Sequence, residues 1–285
     1  MSLRSRSPGS RSATSTGTSH EARVWRYFHD YVDCGKPGYV YPIRHPGKSL
    51  GALVALFRLP CLRIGPSSVD IEGTAIRASL SPQVTALLSP RSIVTRLAGF
   101  ATAVLILPPE QGQYSLGASR QTLRRKVRRA QRLGVRWAEV TDPRERRKLL
   151  KLAEERERTH PDITHRNTEP DIGSLLSYQL WLVAYSADGN PLLLSVTPVD
   201  DDLALLSYFR TLGSGQAQSD ARYLMTEVLV EHLVRGRVRY LVDGGGLAIP
   251  NGIRHFQRML GFRIVRIRIA PARAPRPVPR AGARP

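Results

Sequence analysis

Between residues 181 and 209 the chain sets three strand-like runs almost end to end, and this crowding constrains the fold more than any other feature. Trp181 to Tyr185 is followed by a turn at Asp188-Gly189-Asn190. Leu192 to Val199 turns at Asp200-Asp201-Asp202, and Leu203 to Phe209 follows. Connections this short join antiparallel neighbours. Around the hairpins the pattern alternates between strand and helix. Val135 to Val140 reads as a strand, and Asp142-Pro143-Arg144-Glu145 supplies an N-cap, a first-turn proline and a carboxylate three residues after the cap. That helix runs to about Arg158, with a second helical piece around Ile172 to Tyr178. Ser219 or Asp220 caps a helix with Ala221, Leu224, Met225, Val228, Leu229 and Leu233 on one face. Strand Val238 to Val242, a Gly244-Gly245-Gly246 loop, a helix capped by Asn251 and closed by Gly261, and strand Ile264 to Ile269 complete the order. The sequence β-α-α-β-β-β-α-β-α-β predicts an α/β (α+β) fold, with a mixed, mostly antiparallel sheet flanked by helices.

Charge narrows the reading further. The formal net charge is +20, but most of it sits in three short segments without a single acid. Residues 1–20 hold three arginines, residues 271–285 hold four arginines and five prolines, and Arg120 to Arg136 holds eight basic residues. The two ends have the composition of disordered tails. The middle segment predicts a helix capped by Ser119, with Leu123, Val127, Ala130 and Leu133 as a narrow apolar stripe and Gly134 as its left-handed C-cap. Arg120, Arg124, Arg125, Arg128 and Arg129 then form a positive surface suited to phosphates, or simply a solvated face whose stems cover apolar surface. Two cysteines, Cys34 and Cys61, exclude a disulfide scaffold, and no C-x-x-C pair suggests zinc. The apolar runs Leu50 to Phe57 and Leu97 to Leu107 fall short of the about 20 residues a membrane span needs. No apolar signal core follows the first arginines, which points to a cytoplasmic protein.

The element order over residues 135–270, with the helix ending Arg258-Met259-Leu260-Gly261-Phe262, resembles the GNAT acyltransferase fold. That resemblance implies an R/Q-x-x-G-x-G/A loop for the pyrophosphate of an acyl-CoA cosubstrate. The corresponding junction here reads Arg210-Thr211-Leu212-Gly213-Ser214-Gly215. Glycines let backbone N–H groups approach phosphate, and the next helix N-terminus favours an anion. Two features disagree: the helix is expected only at Ser219 or Asp220, and Asp220 would put a carboxylate beside the anion. Gln257 stands where the family has a tyrosine acid, and it cannot transfer protons. The basic helix followed by Gly134-Val135, Phe256 on the last helix, and Tyr240 to Gly245 are similar to the Fem-type aminoacyltransferases and their acetyltransferase relatives. The Fem-like layout implies two tandem copies. Residues 21–118 would then be a degenerate first copy, with strands near Ala52–Phe57, Leu62–Ile64 and Thr102–Leu107, and residues 119–134 the linking helix.

Acyl transfer to an amine needs a base for the ammonium proton and donors for the oxyanion. Asp243, at the end of a strand, is the candidate base, or else a cap for the glycine loop. Backbone N–H groups from Leu206 to Tyr208 are candidate oxyanion donors. The Tyr208 side chain either lines the pocket or packs in the core. His255 reads as a surface or packing residue. His160, Asp162 and His165 sit in a Pro-broken loop, and no metal site is expected. Three functions follow: N-acyl transfer from acyl-CoA to a small-molecule or peptide amine, the same transfer from aminoacyl-tRNA, and a decayed GNAT-shaped RNA-binding or scaffolding module. Oligomeric state is left open.

Overall fold

The computed structural model describes residues 20–27, 30, 44–64, 100–161, 163, 166–200, 202–243 and 251–269. The arginine tails (1–19 and 271–285), the Gly244-Gly245-Gly246 loop, Asp162 and His165 lie outside the described residues.

A helical stretch at 20–27 and helix α1 (Pro46–Arg58) precede strands β1 (Cys61–Ile64) and β2 (Phe100–Ile106). Helix α2 (Gln121–Arg132) follows, then β3 (Arg136–Glu139), α3 (Pro143–Arg158), β4 (Leu180–Tyr185), β5 (Pro191–Thr197) and β6 (Val199–Asp200). The chain continues through β7 (Leu203–Leu205), β8 (Tyr208–Thr211), α4 (Gln216–Arg235), β9 (Tyr240–Asp243), α5 (Asn251–Leu260) and β10 (Arg263–Ile269). The strands form two sheets, ordered β1-β10-β2-β9-β7-β6 and β3-β4-β5-β8. This is an α/β fold, with antiparallel and mixed sheets flanked by helices.

The run Leu203–Phe209, expected as one strand, is two strands in different sheets. Pro198 has no N–H with which to continue the ladder, so β5 stops there and its carbonyl accepts from Leu205 N–H at 3.0 Å. Leu206 N–H then donates to Val242 O at 2.8 Å, and Ser207 N–H turns back to Leu205 O. β7 therefore runs parallel to β9, whereas β8 pairs antiparallel with β5. After Leu206 the chain leaves β9, and β8 and β9 diverge.

The N-terminal half supplies an interior strand: β2 lies antiparallel between β9 and β10, with Ala103 opposite both Asp243 and Ile264. Leu62–Ile64 and Thr102–Leu107 fall on β1 and β2, but Ala52–Phe57 is helical, not a strand. Pro46 starts α1, and Ala52, Ala55 and Leu56 recur at helical spacing on its buried side. Ala55 and Leu56 meet Val24, Ala101 and Ile264 in a small core. The main core gathers Leu123, Val127 and Ala130 of α2, Leu224, Met225 and Leu229 of α4, and Leu182 and Leu193 of the second sheet.

Cap chemistry explains where the helices end. Asp142 caps α3 as expected, its carboxylate accepting from Arg144 N–H at 3.0 Å. Ser119 does not cap α2, because a 3-10 turn, Ala118–Arg120, leads into that helix. Leu133 falls beyond α2 and is exposed rather than part of the stripe. Gly134, at φ +74°, closes the helix in a Schellman motif: its N–H bonds Gln131 O, and Val135 N–H bonds Ala130 O. Gly261 closes α5 in the same way. At α4 the left-handed position is filled by Arg237, the only non-glycine residue with positive φ among the described residues.

Candidate active site

The parting of β8 and β9 opens a cleft of about 710 Å³, within the range of ligand pockets. Leu206, Tyr208 and Arg210 line it from the β7–β8 segment, and Asp243 lines it from the end of β9. Ser219, Arg222 and Tyr223 come from α4, Phe256 and Gln257 from α5, Arg156 and Glu157 from the end of α3, and His160 from just beyond it.

Two polar clusters face this space. In the first, Glu157 is buried, accepts a hydrogen bond from the Tyr208 hydroxyl (3.3 Å) and pairs with Arg210 Nη1 (3.1 Å). Burial raises the Tyr208 pKa above the ordinary tyrosine range, and the Glu157 charge adds to the effect. The hydroxyl therefore stays protonated. In the second cluster, Gln257 Nε2 donates to Asp243 Oδ2 at 2.8 Å, and the Asp243 carbonyl accepts from Thr102 Oγ1 at 2.7 Å. Arg222, whose pKa burial lowers, donates to Thr211 Oγ1.

The glycine loop meets a helix earlier than the sequence suggests. α4 begins at Gln216, with Gly215 as N-cap, not at Ser219 or Asp220. Ser219 N–H already makes the first intrahelical bond, to Gly215 O. The first-turn N–H groups, which lack intrahelical acceptors, therefore directly follow Gly213-Ser214-Gly215. A Cβ at Gly213 would lie 2.8 Å from the Gln218 side chain and one at Gly215 would lie 3.1 Å from it, so both glycines make room for that amide. Gly215, at φ +129°, also has a backbone that other residues rarely adopt. Asp220 does not approach this loop. It is fully buried, with Lys126 Nζ at 2.9 Å and Arg129 Nε at 3.0 Å, and so pins α4 to α2.

Other expected roles are redistributed. Leu206 N–H, an expected oxyanion donor, is consumed by Val242 O, because β7 still follows β9 at that residue. Arg210 turns to Glu157. Of the five arginines assigned to a phosphate-facing surface, Arg120 donates to Met259 O and lies over the Tyr114 ring. Arg124 bonds the carbonyls of Ser115 and Gly117, and Arg129 serves Asp220. Arg125 and Arg128 are exposed, together with Arg132. Among the described residues no group of three metal-ligating side chains gathers, and no helix is long and apolar enough to cross a membrane.

No family model matches the chain, and no curated protein does. Solved structures with a similar trace include L-PGS from Bacillus licheniformis (14% identity, TM-score 0.44, 58% of each chain). A second is the C-terminal domain of a putative lysylphosphatidylglycerol synthetase from Agrobacterium fabrum (14%, TM-score 0.41, 58% of this chain and 60% of that one). A third is a conserved protein of unknown function from Bacteroides thetaiotaomicron (10%, TM-score 0.42, 59% and 60%). The alignments span about three fifths of those chains.

Glu157 and Arg254 were missed by sequence reasoning. Glu157 sits in the Glu-Glu-Arg-Glu-Arg run that ends α3 and reads as solvated charge. A signal was present: Leu149, Leu150 and Ala153, eight, seven and four residues earlier, define the buried face of α3, and Glu157 continues it. Gln257 was noticed only for what it lacks.

Proposed function

We propose that this chain transfers an aminoacyl group from aminoacyl-tRNA to an amine on a small molecule or peptide. The reading rests on one observation: the β8–β9 cleft holds a strand-end carboxylate, Asp243, while the β8 end of the same opening runs through a glycine loop into the first turn of α4. Attack by an amine on the acyl carbon breaks the ester to the tRNA ribose, whose departing oxygen takes a proton from solvent; the attacking nitrogen becomes an ammonium that must lose one, and Asp243 is assigned that proton. Tyr208, protonated and lining the cleft, is assigned to contact the acyl group. The loop of Gly213, Ser214 and Gly215, with the first-turn N–H groups, takes a donor phosphate. Arg222 supplies a cation at that end of the cleft, where Glu157 already takes up the charge of Arg210.

The exposed face of α2 favours tRNA as the donor. Among the described residues no acid pairs with Arg125, Arg128 or Arg132, and a polymer of phosphates can engage such a row beyond the loop itself. Acyl-CoA is the second reading, favoured by the direct passage from Gly215 into α4, which suits a single pyrophosphate.

The test is transfer by the full chain from a mixture of radiolabelled aminoacyl-tRNAs to a panel of amines, alongside tRNA binding across salt concentrations. Label should move to an amine only with charged tRNA present. Replacing Arg125, Arg128 and Arg132 by Gln should reduce the slope of log K against log salt by roughly 2–3. A flat salt response, together with heat on titrating acyl-CoA, would replace tRNA with acyl-CoA. Salt-dependent RNA binding without transfer from either donor would make this a binding module.

A further inference from the structure

Gln257 and Arg254 are both buried on α5, and together they form a directed chain of polar contacts. Gln257 Nε2 donates to Asp243 Oδ2 (2.8 Å), and Gln257 Oε1 accepts from Arg254 Nη1 (3.3 Å). Arg254 Nη2 bonds Glu21 Oε1, and the same oxygen accepts from Ile264 N–H (3.2 Å). The order of atoms allows one reading only. A cation at the carbonyl end of the Gln257 amide fixes its NH₂ toward Asp243, and an NH₂ can only donate. Asp243 must therefore accept, which favours its ionised form. Burial, with nearby Arg258, lowers the Arg254 pKa to about 10, so the arginine remains a cation at neutral pH.

We propose that Gln257 is a positioning residue that holds Asp243 ionised and aimed into the cleft, and that Glu21, from the helical stretch at 20–27, anchors it through Arg254. This rests on the role given to Asp243 above. It assigns a function to the buried amide, and it makes a residue far outside the β3–β10 unit part of the site's support. Other charged or titratable groups lining the space around Asp243 are Glu157 and Arg156 of α3, His160 just beyond it, Tyr208 and Arg210 of β8, Arg222 and Tyr223 of α4, and His255 of α5. None of them is altered by the substitution below.

The experiment follows the Asp243 carboxyl carbon by NMR through a pH titration of the full chain and of Gln257→Met, a near-isosteric change without a donor. Losing a hydrogen bond to a charged oxygen should raise the Asp243 pKa by about one unit or more. In the unsubstituted protein the Gln257 side-chain NH₂ resonances should shift with the same midpoint as Asp243, a measurement that needs no variant to fold. A Gln257→Met shift below about a third of a unit, or Gln257 resonances indifferent to Asp243, overturns the proposal. Where transfer is detected, the acid limb of kcat/KM should move by the same amount in Gln257→Met, with donor KM unchanged. If transfer is absent the titration still decides the role of Gln257, so the two readings fail separately.

Discussion

Replacing Asp220 isolates one interaction that the structure treats as structural and the sequence presented as an obstacle to anion binding. Its carboxylate is fully buried, while the side chains of Lys126 and Arg129 are 22% and 48% exposed. Lys126 donates a hydrogen bond to Oδ1; Arg129 Nε lies 3.0 Å from Oδ2 but outside hydrogen-bond alignment, so it acts mainly as a charge. Removing one partner of a buried pair costs about 3–5 kcal/mol when the remaining charge stays buried. In Asp220→Ala the two cations can regain water, so the expected loss is near about 3 kcal/mol. Lys126→Ala should cost about 1.5–2 kcal/mol as a hydrogen bond to a charged group, and Arg129→Ala under about 1 kcal/mol. Removing both cations leaves the carboxylate alone against an apolar wall, at about 3–5 kcal/mol, more than the two single losses together. Urea unfolding followed by tryptophan fluorescence measures all of these, with unchanged m-values as the check on two-state behaviour. In an Asp220→Ala background Lys126→Ala should become nearly silent. An Asp220→Ala loss below about 1 kcal/mol, or a Lys126→Ala cost equal in both backgrounds, would refute this account of how α2 is held to α4.

Two further outcomes follow from particular residues. Burial is the main cause that raises the pKa values of both Tyr208 and Tyr114, so above pH 10 the unfolded chain loses phenolic protons that the folded chain keeps. Stability should therefore fall as pH rises past 10, by up to about 1.4 kcal/mol per pH unit for each tyrosine, and Tyr208→Phe should remove one contribution from urea curves measured between pH 9 and 11. Arg237 holds φ +61° at the end of α4, in the position glycine fills at the ends of α2 and α5, so Arg237→Gly should raise stability by about 1 kcal/mol; a loss of stability would show that the arginine side chain contributes more than its backbone strain costs.

Local chemistry carried much of the fold into the sequence. The Asp142 cap, the Gly134 and Gly261 stops, the hairpin turns and the buried face of α4 all depend on residues near one another in the chain, so they were legible as pattern. The start of α4 was misplaced because Ser219 and Asp220 are good cap residues, whereas the actual N-cap, Gly215, has no side-chain acceptor to announce it. The split of Leu203–Phe209 was hidden too. Nothing within that run says that Leu206 bonds to Val242, a partner more than thirty residues away.

By itself, the sequence determined the order of elements, the crowded hairpins, the place of the glycine loop and the concentration of positive charge in three segments, since each follows from spacing and residue type. Only the tertiary structure decided which charges are spent. Of the basic row that begins in the turn before α2 and runs along it, Arg120, Arg124, Lys126 and Arg129 turn inward to carbonyls or to Asp220, and three arginines remain facing outward. It also decided that Glu157 and Gln257 enter the cleft and that Glu21 reaches the site from a distant segment. The reason is physical. A buried charge or amide must find its partner wherever the fold brings one, and that partner's position in sequence is set by packing, not by periodicity.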